Sequence, residues 1–148
     1  FSGNPFVMIK PDTYVNNSGL AVSDCINHYK VDVENVLVVV DDINLNFADV
    51  RIRKSGGDGG HNGLSSIIYH LQSKDFSRLR IGIGSDFKAG NLADYVLSDF
   101  DKNDLIQLEK SFALSIQLVD SFILDGYHKM LSTFSRLKNL DKLNTEPE

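Results

Sequence analysis

The densest chemistry in the sequence lies in one short stretch, Gly56-Gly57-Asp58-Gly59-Gly60-His61-Asn62-Gly63. Five glycines in eight residues open backbone conformations closed to other residues and let a ligand approach the main chain. A turn of this kind running into a helix start presents N–H groups to negative charge, so Gly59 and Gly60 are candidates for an anion or oxyanion loop. His61 can act as a base near neutral pH. Asn62 can donate to a carbonyl oxygen and accept from a water. Asp41, first of the pair Asp41-Asp42, can fix the tautomer of an imidazole and stabilise its protonated form. The stretch is not a Walker A loop, because Gly-Lys-Ser/Thr is missing, and Asn62 stands where a dinucleotide fingerprint needs its last glycine. Blander roles compete: a flexible loop, a His61 bonded to backbone, and a cap or turn for Asp41 and Asp42. Two adjacent carboxylates and one distant histidine make a weak metal set, so neither a metal nor a cofactor is expected. In a second polar cluster, Thr13 to Gly19, Asn17 or Ser18 alone would satisfy helix capping. That leaves Asn16 without a structural task.

The elements that must position these residues alternate strand and helix. Phe6-Val7-Met8-Ile9 reads as a strand stopped by Pro11. A helix follows, with Val22, Cys25, Ile26 and Tyr29 as its core face. Val36 to Val40 is a continuous apolar run, four of its five residues β-branched, and reads as a fully buried strand ending in Asp41-Asp42. Carboxylates at the end of such a strand sit where α/β proteins place their sites. Val50-Arg51-Ile52-Arg53 alternates with a period of two, which puts Arg51 and Arg53 on one face. Leu64, Ile67, Ile68 and Leu71 form a helical stripe, and Leu79 to Gly84 is another strand. Asp101 caps a long helix with Leu105, Leu108, Phe112, Ile116, Val119 and Ile123 facing the core. Asp125-Gly126 ends it, and a last helix carries Tyr127, Met130, Leu131, Phe134 and Leu137. The expected architecture is a single α/β domain over residues 1–140, a twisted mixed sheet flanked by helices, followed by a polar tail over 141–148.

The chain's 148 residues suit one domain. Its 42% hydrophobic and 24% charged residues exclude a collagen-like or disordered polymer. No apolar run approaches the ~20 residues of a membrane span. The single cysteine, Cys25, cannot form an internal disulfide, so a cytoplasmic setting is expected. The net charge of −5 hides a pattern: −5 over residues 1–50, +4 over 51–90 and −4 over 91–148. A basic island in an acidic chain can attract a polyanion locally.

Four motifs in register resemble the bacterial peptidyl-tRNA hydrolases. They are Pro11-Asp12-Thr13-Tyr14-Val15-Asn16-Asn17-Ser18-Gly19, Val39-Val40-Asp41-Asp42-Ile43-Asn44-Leu45, the glycine stretch through Leu64 preceded by Arg51-Ile52-Arg53, and Phe76-Ser77-Arg78-Leu79-Arg80-Ile81-Gly82-Ile83-Gly84. Tyr95-Val96-Leu97 also fits. The resemblance implies hydrolysis of the ester between a peptide and the 3′ end of tRNA, with peptidyl-tRNA as partner and the complete protein a monomer. It implies that Asn16 and Asn62 position substrate and attacking water. Asp41 would orient the catalytic histidine, with His61 and Tyr14 beside the substrate. Arg51, Arg53 and Arg80 would hold tRNA phosphate.

Val15 stands where the family usually has Met, and Asn44 where it usually has Asp. The family's opening strand and the segment carrying its general-base histidine have no counterpart here, since Phe1 starts after them. None of the four histidines maps onto that base. The expectation is therefore a chain inactive or nearly so by itself. The rival is a non-catalytic RNA-binding protein on the same scaffold. A third reading, a small nucleotide-binding protein, is weakened by the failed phosphate-loop patterns.

Overall fold

The computed structural model describes residues 3–86 and 90–145, with side chains described through residue 140. After a short 3-10 turn, Val15–Asn17, come helix α1 (Ser18–Tyr29), strand β1 (Leu37–Asp42), strand β2 (Val50–Arg53), helix α2 (Asn62–Leu71) and strand β3 (Ser77–Gly82). A short α3 (Leu92–Val96) and a long α4 (Lys102–Thr145) complete it. The three strands form a mixed sheet in the order β1-β3-β2. β1 runs parallel to β3, with Val38 opposite Arg78 and Val40 opposite Arg80. β2 runs antiparallel to β3, with Arg51 opposite Arg80 and Arg53 opposite Arg78.

Each sheet face has its own core. On one, Val50, Ile52 and Leu79 pack with Leu118 and Met130 of α4. On the other, Val38 and Val40 pack with Val22 of α1, Leu64 and Ile67 of α2, and Phe76. Burying each large apolar side chain contributes roughly 1.5–3 kcal/mol, which holds α1 and α2 over the β1 side of the sheet. The two helices meet closely at Gly19, whose N–H donates to Ser66 Oγ at 3.0 Å. A Cβ there would lie 2.2 Å from the Ser66 carbonyl oxygen, so only glycine permits the approach.

Several expectations are corrected. Phe6 to Ile9 is not a strand: it has no ladder partner, and all four side chains are exposed. The preceding Asn4 anchors it elsewhere, donating to the carbonyls of Ile123 and Leu124 at 3.3 Å. β1 is an edge strand, not a fully buried one, and Val39 is 49% exposed. Tyr29 lies off the buried face of α1. Neither Asn17 nor Ser18 caps α1 through its side chain; the Ser18 hydroxyl turns back to the Val15 carbonyl.

α4 is capped by Asp101, whose carboxylate accepts from the N–H groups of Asn103 and Asp104. It breaks at Asp125 and Gly126, as expected. Its buried line is rotated, however, to Leu108, Ser111, Ser115 and Leu118, leaving Leu105, Phe112 and Ile116 exposed. Small serines let the helix approach closely, and the Ser111 hydroxyl donates to the Ala48 carbonyl. The helical backbone runs through Thr145, into the stretch expected as a tail, and residues 146–148 lie outside the described residues.

Candidate active site and basic face

Asp41, the last residue but one of β1, lies beside the start of α2. Its Oδ1 lies 3.2 Å from His61 Nε2. The other ring nitrogen, Nδ1, accepts from the N–H groups of Gly63 at 3.0 Å and Leu64 at 3.2 Å. His61 is thus the N-cap of α2, a role usually filled by a short oxygen-bearing side chain. A nitrogen that accepts carries no proton, so the neutral ring holds its proton on Nε2 and donates it to Asp41. That hydrogen bond, working against partial burial, holds the Asp41 carboxyl below the usual value of about 3.8. Gly63 makes room for the arrangement. A Cβ there would fall 2.8 Å from His61 Cε1 and 3.1 Å from Val15 Cγ2.

The neighbouring carboxylate does different work. Asp42 is buried; its Oδ1 accepts from the Asn44 N–H at 2.9 Å, and its Oδ2 lies 3.0 Å from Arg80 Nη1. Burial acts to raise the Asp42 carboxyl, but the bonds from Asn44 and Arg80 outweigh it and hold the group low. Arg80 also donates to the Gly57 carbonyl at 3.3 Å, and Asn44 Nδ2 donates to the Gly59 carbonyl at 3.4 Å. Arg78, fully buried, donates to the carbonyls of Gly56 (2.6 Å), Phe76 (2.7 Å) and Lys74 (3.2 Å) and stacks over the Phe76 ring. The front of the glycine loop is therefore pinned by two β3 arginines, and its back by the His61 cap.

These contacts redistribute the expected roles. The Gly60 N–H donates to Asp58 Oδ1 at 2.8 Å, so in this arrangement it is not offered to an oxyanion. A carboxylate already stands there. Gly59 has φ +62° and lies against the Arg80 guanidinium, 3.1 Å from where its Cβ would be. Arg80 is enclosed rather than open to phosphate, its side chain only 16% exposed. Arg51 and Arg53 do face solvent, on the sheet face away from α4, with no carboxylate in salt-bridge range among the described residues. Asn62, first residue of α2, is exposed. Asn16 lies exposed on the 3-10 turn that packs against α2. The preceding Tyr14 is 84% exposed. Asp41, His61, Asn62 and the Asn16 turn thus gather at one end of the sheet. No cluster of metal-binding side chains occurs among the described residues.

The peptidyl-tRNA hydrolase family model matches residues 1–142. The chain belongs to the peptidyl-tRNA hydrolase family. The peptidyl-tRNA hydrolase of Thermoanaerobacter pseudethanolicus is 40% identical over 135 residues, which is 91% of this chain and 72% of that protein. That of Finegoldia magna is 39% identical over 129 residues, covering 87% and 68%. Among solved structures, peptidyl-tRNA hydrolase from Acinetobacter baumannii aligns with a TM-score of 0.76 and 28% identity, over 83% of this chain and 62% of that one. A peptidyl-tRNA hydrolase in complex with n-propanol aligns at 0.74 and 29%, over 83% and 61%. The chain thus spans less than two thirds of these solved chains. The mixed sheet flanked by helices is the fold of this family.

Sequence reasoning missed three contributors: Arg78, Asp58 and Asn44. The signal for Arg78 was available, because the period of two that pairs Arg51 with Arg53 pairs Arg78 with Arg80. Asn44, the departure from the family's usual Asp, supplies an amide donor to Gly59 that a carboxylate lacks.

Proposed function

We propose that this chain carries the tRNA-binding and histidine-orienting parts of a peptidyl-tRNA ester hydrolase. The observation that supports this reading is the convergence of Asp41, His61 and Asn62 beside the turn bearing Asn16, with the exposed Arg51 and Arg53 across β3 on the same sheet. In the reaction, water attacks the ester carbonyl carbon. The bond to the tRNA 3′ oxygen breaks, and the products are a free peptide and tRNA. Asn16 and Asn62 place the carbonyl and the water, with Tyr14 beside the substrate. Arg51 and Arg53 hold phosphates, and Arg80 serves them by fixing the loop.

His61 is a poor base here, because one ring nitrogen caps α2 and the other donates to Asp41. The water's proton goes instead to the family's general-base histidine, which Asp41 would orient as it orients His61. The 148-residue chain by itself therefore binds tRNA and turns over little or nothing. The same commitment of His61 favours, as second reading, an RNA-binding protein without catalysis. The test is release of the blocked amino acid from N-acetyl-aminoacyl-tRNA. Binding with negligible release is expected. Brisk release abolished by His61→Ala would make His61 the base and overturn its assignment as cap and partner of Asp41.

A further inference from the structure

Arg78 is the most unusual residue of the molecule outside the Asp41–His61 pair. Its side chain is fully buried, yet no carboxylate lies within salt-bridge distance among the described residues. Buried charge is costly unless paired or richly hydrogen-bonded. Here the partners are three main-chain carbonyls and the face of Phe76. Two of those carbonyls, Lys74 and Phe76, belong to the turn leading into β3. The third, Gly56, lies three residues after Arg53. The Gly56 N–H also donates to the Lys74 carbonyl, at 3.3 Å. Arg53 and Arg78 are register partners and so stand on the same sheet face.

Resting on the proposed function, we infer that Arg78 is a positioning residue for RNA binding. By tying Gly56 to the Lys74–Phe76 turn it fixes the direction in which the chain leaves β2, and so presents Arg53 and Lys54 to the phosphates. Arg78 itself touches no RNA. A free loop would have to be ordered at each binding event. Ordering one residue costs about tenfold in affinity.

The test is binding of a tRNA acceptor-stem minihelix ending in CCA, titrated at several salt concentrations. Three variants are compared with the parent: Arg78→Lys, Gly56→Ala and Arg51→Ala. Arg78→Lys keeps the charge but loses the fork that spans three carbonyls. Gly56→Ala leaves β3 intact and strains the loop at the same point, because Gly56 has φ +145° with open space around it. It keeps the test valid should Arg78→Lys fail to fold. Both variants should weaken Kd about tenfold with the salt slope unchanged, whereas Arg51→Ala should lower the slope by about one. A role in stability alone would reduce the fraction of binding-competent protein and leave the Kd of that fraction unmoved. Unmoved Kd in the folded variants overturns this inference alone. Failure of the parent to bind the minihelix overturns the proposed function, and this inference with it.

Discussion

β2 and β3 carry the same pattern and put it to opposite uses. Each places two arginines at alternate positions, and the register sets Arg51 against Arg80 and Arg53 against Arg78, four cations on one sheet face. Directly opposed like charges destabilise a sheet. The relief comes from asymmetry. β3 is the central strand, so its arginines lie beneath the glycine loop, where Asp42 neutralises Arg80 and carbonyl dipoles solvate Arg78. β2 is an edge, so its arginines reach water and keep their charge available. What an arginine does here depends on whether its strand is covered. A buried one acts on the fold, and an exposed one is left free for the phosphate contacts proposed above.

The comparison predicts that stability and binding separate cleanly between the strands. Arg78→Met should have the largest effect. It removes the guanidinium from three carbonyls; that of Lys74 keeps the Gly56 N–H, while those of Gly56 and Phe76 lose their side-chain donor at about 1–3 kcal/mol each, so a loss of about 4 kcal/mol is expected in urea unfolding. A loss near zero would mean that water replaces the guanidinium, and the contrast between the strands would collapse.

Asp42→Asn should cost less, about 2 kcal/mol at neutral pH, because it leaves Arg80 partly buried without its counter-charge. Its pH signature is distinctive. The Asp42 carboxyl is held below 3.8 in the folded chain, so its contribution is complete above that value. It is lost as pH falls through the depressed folded value. Between pH 5 and pH 2 the gap between parent and Asp42→Asn should therefore narrow. A gap that stays constant would show that the Asp42 charge adds nothing to the fold.

How much of this was legible in the sequence follows from the range of the interactions. The alternation in Val50 to Arg53 was enough to place both arginines on one face, because strand geometry is local. The chemistry of Asp41 and His61 was legible as a pairing of types, although 20 positions separate them. Which arginines are covered was not, since that depends on strand order. The apolar run Phe6 to Ile9 has strand composition, but a strand needs a neighbour, and composition does not supply one. The face of α4 was misjudged for a different reason. Ser111 and Ser115 read as polar in a hydrophobic stripe, yet they line the contact because they are small.

The back of the glycine loop offers an intermediate effect. His61→Ala removes the cap of α2 and should cost about 1 kcal/mol, while His61→Asn, a good cap without an imidazole, should recover most of it. Thermal unfolding of both variants decides this. If Asn recovers nothing, the Asp41 contact rather than the cap is what His61 contributes, and the back of the loop is held differently from the front.

The smallest expected change in stability is at Arg51 and Arg53. Both are exposed on an edge strand, and neither has an ion-pair partner among the described residues, so Arg51→Ala with Arg53→Ala should stay within about 0.5 kcal/mol of the parent. Removing two opposed cations relieves repulsion against Arg80 and Arg78 and can even stabilise slightly. The same double variant should be the most damaging to tRNA binding. Each lost phosphate contact lowers the salt slope by about one, so the double variant should lose about two and bind more weakly at low salt than at high salt relative to the parent. An unchanged slope would remove these arginines from the phosphate-binding face. A large loss of stability would instead make them structural, and the contrast between β2 and β3 would be one of degree.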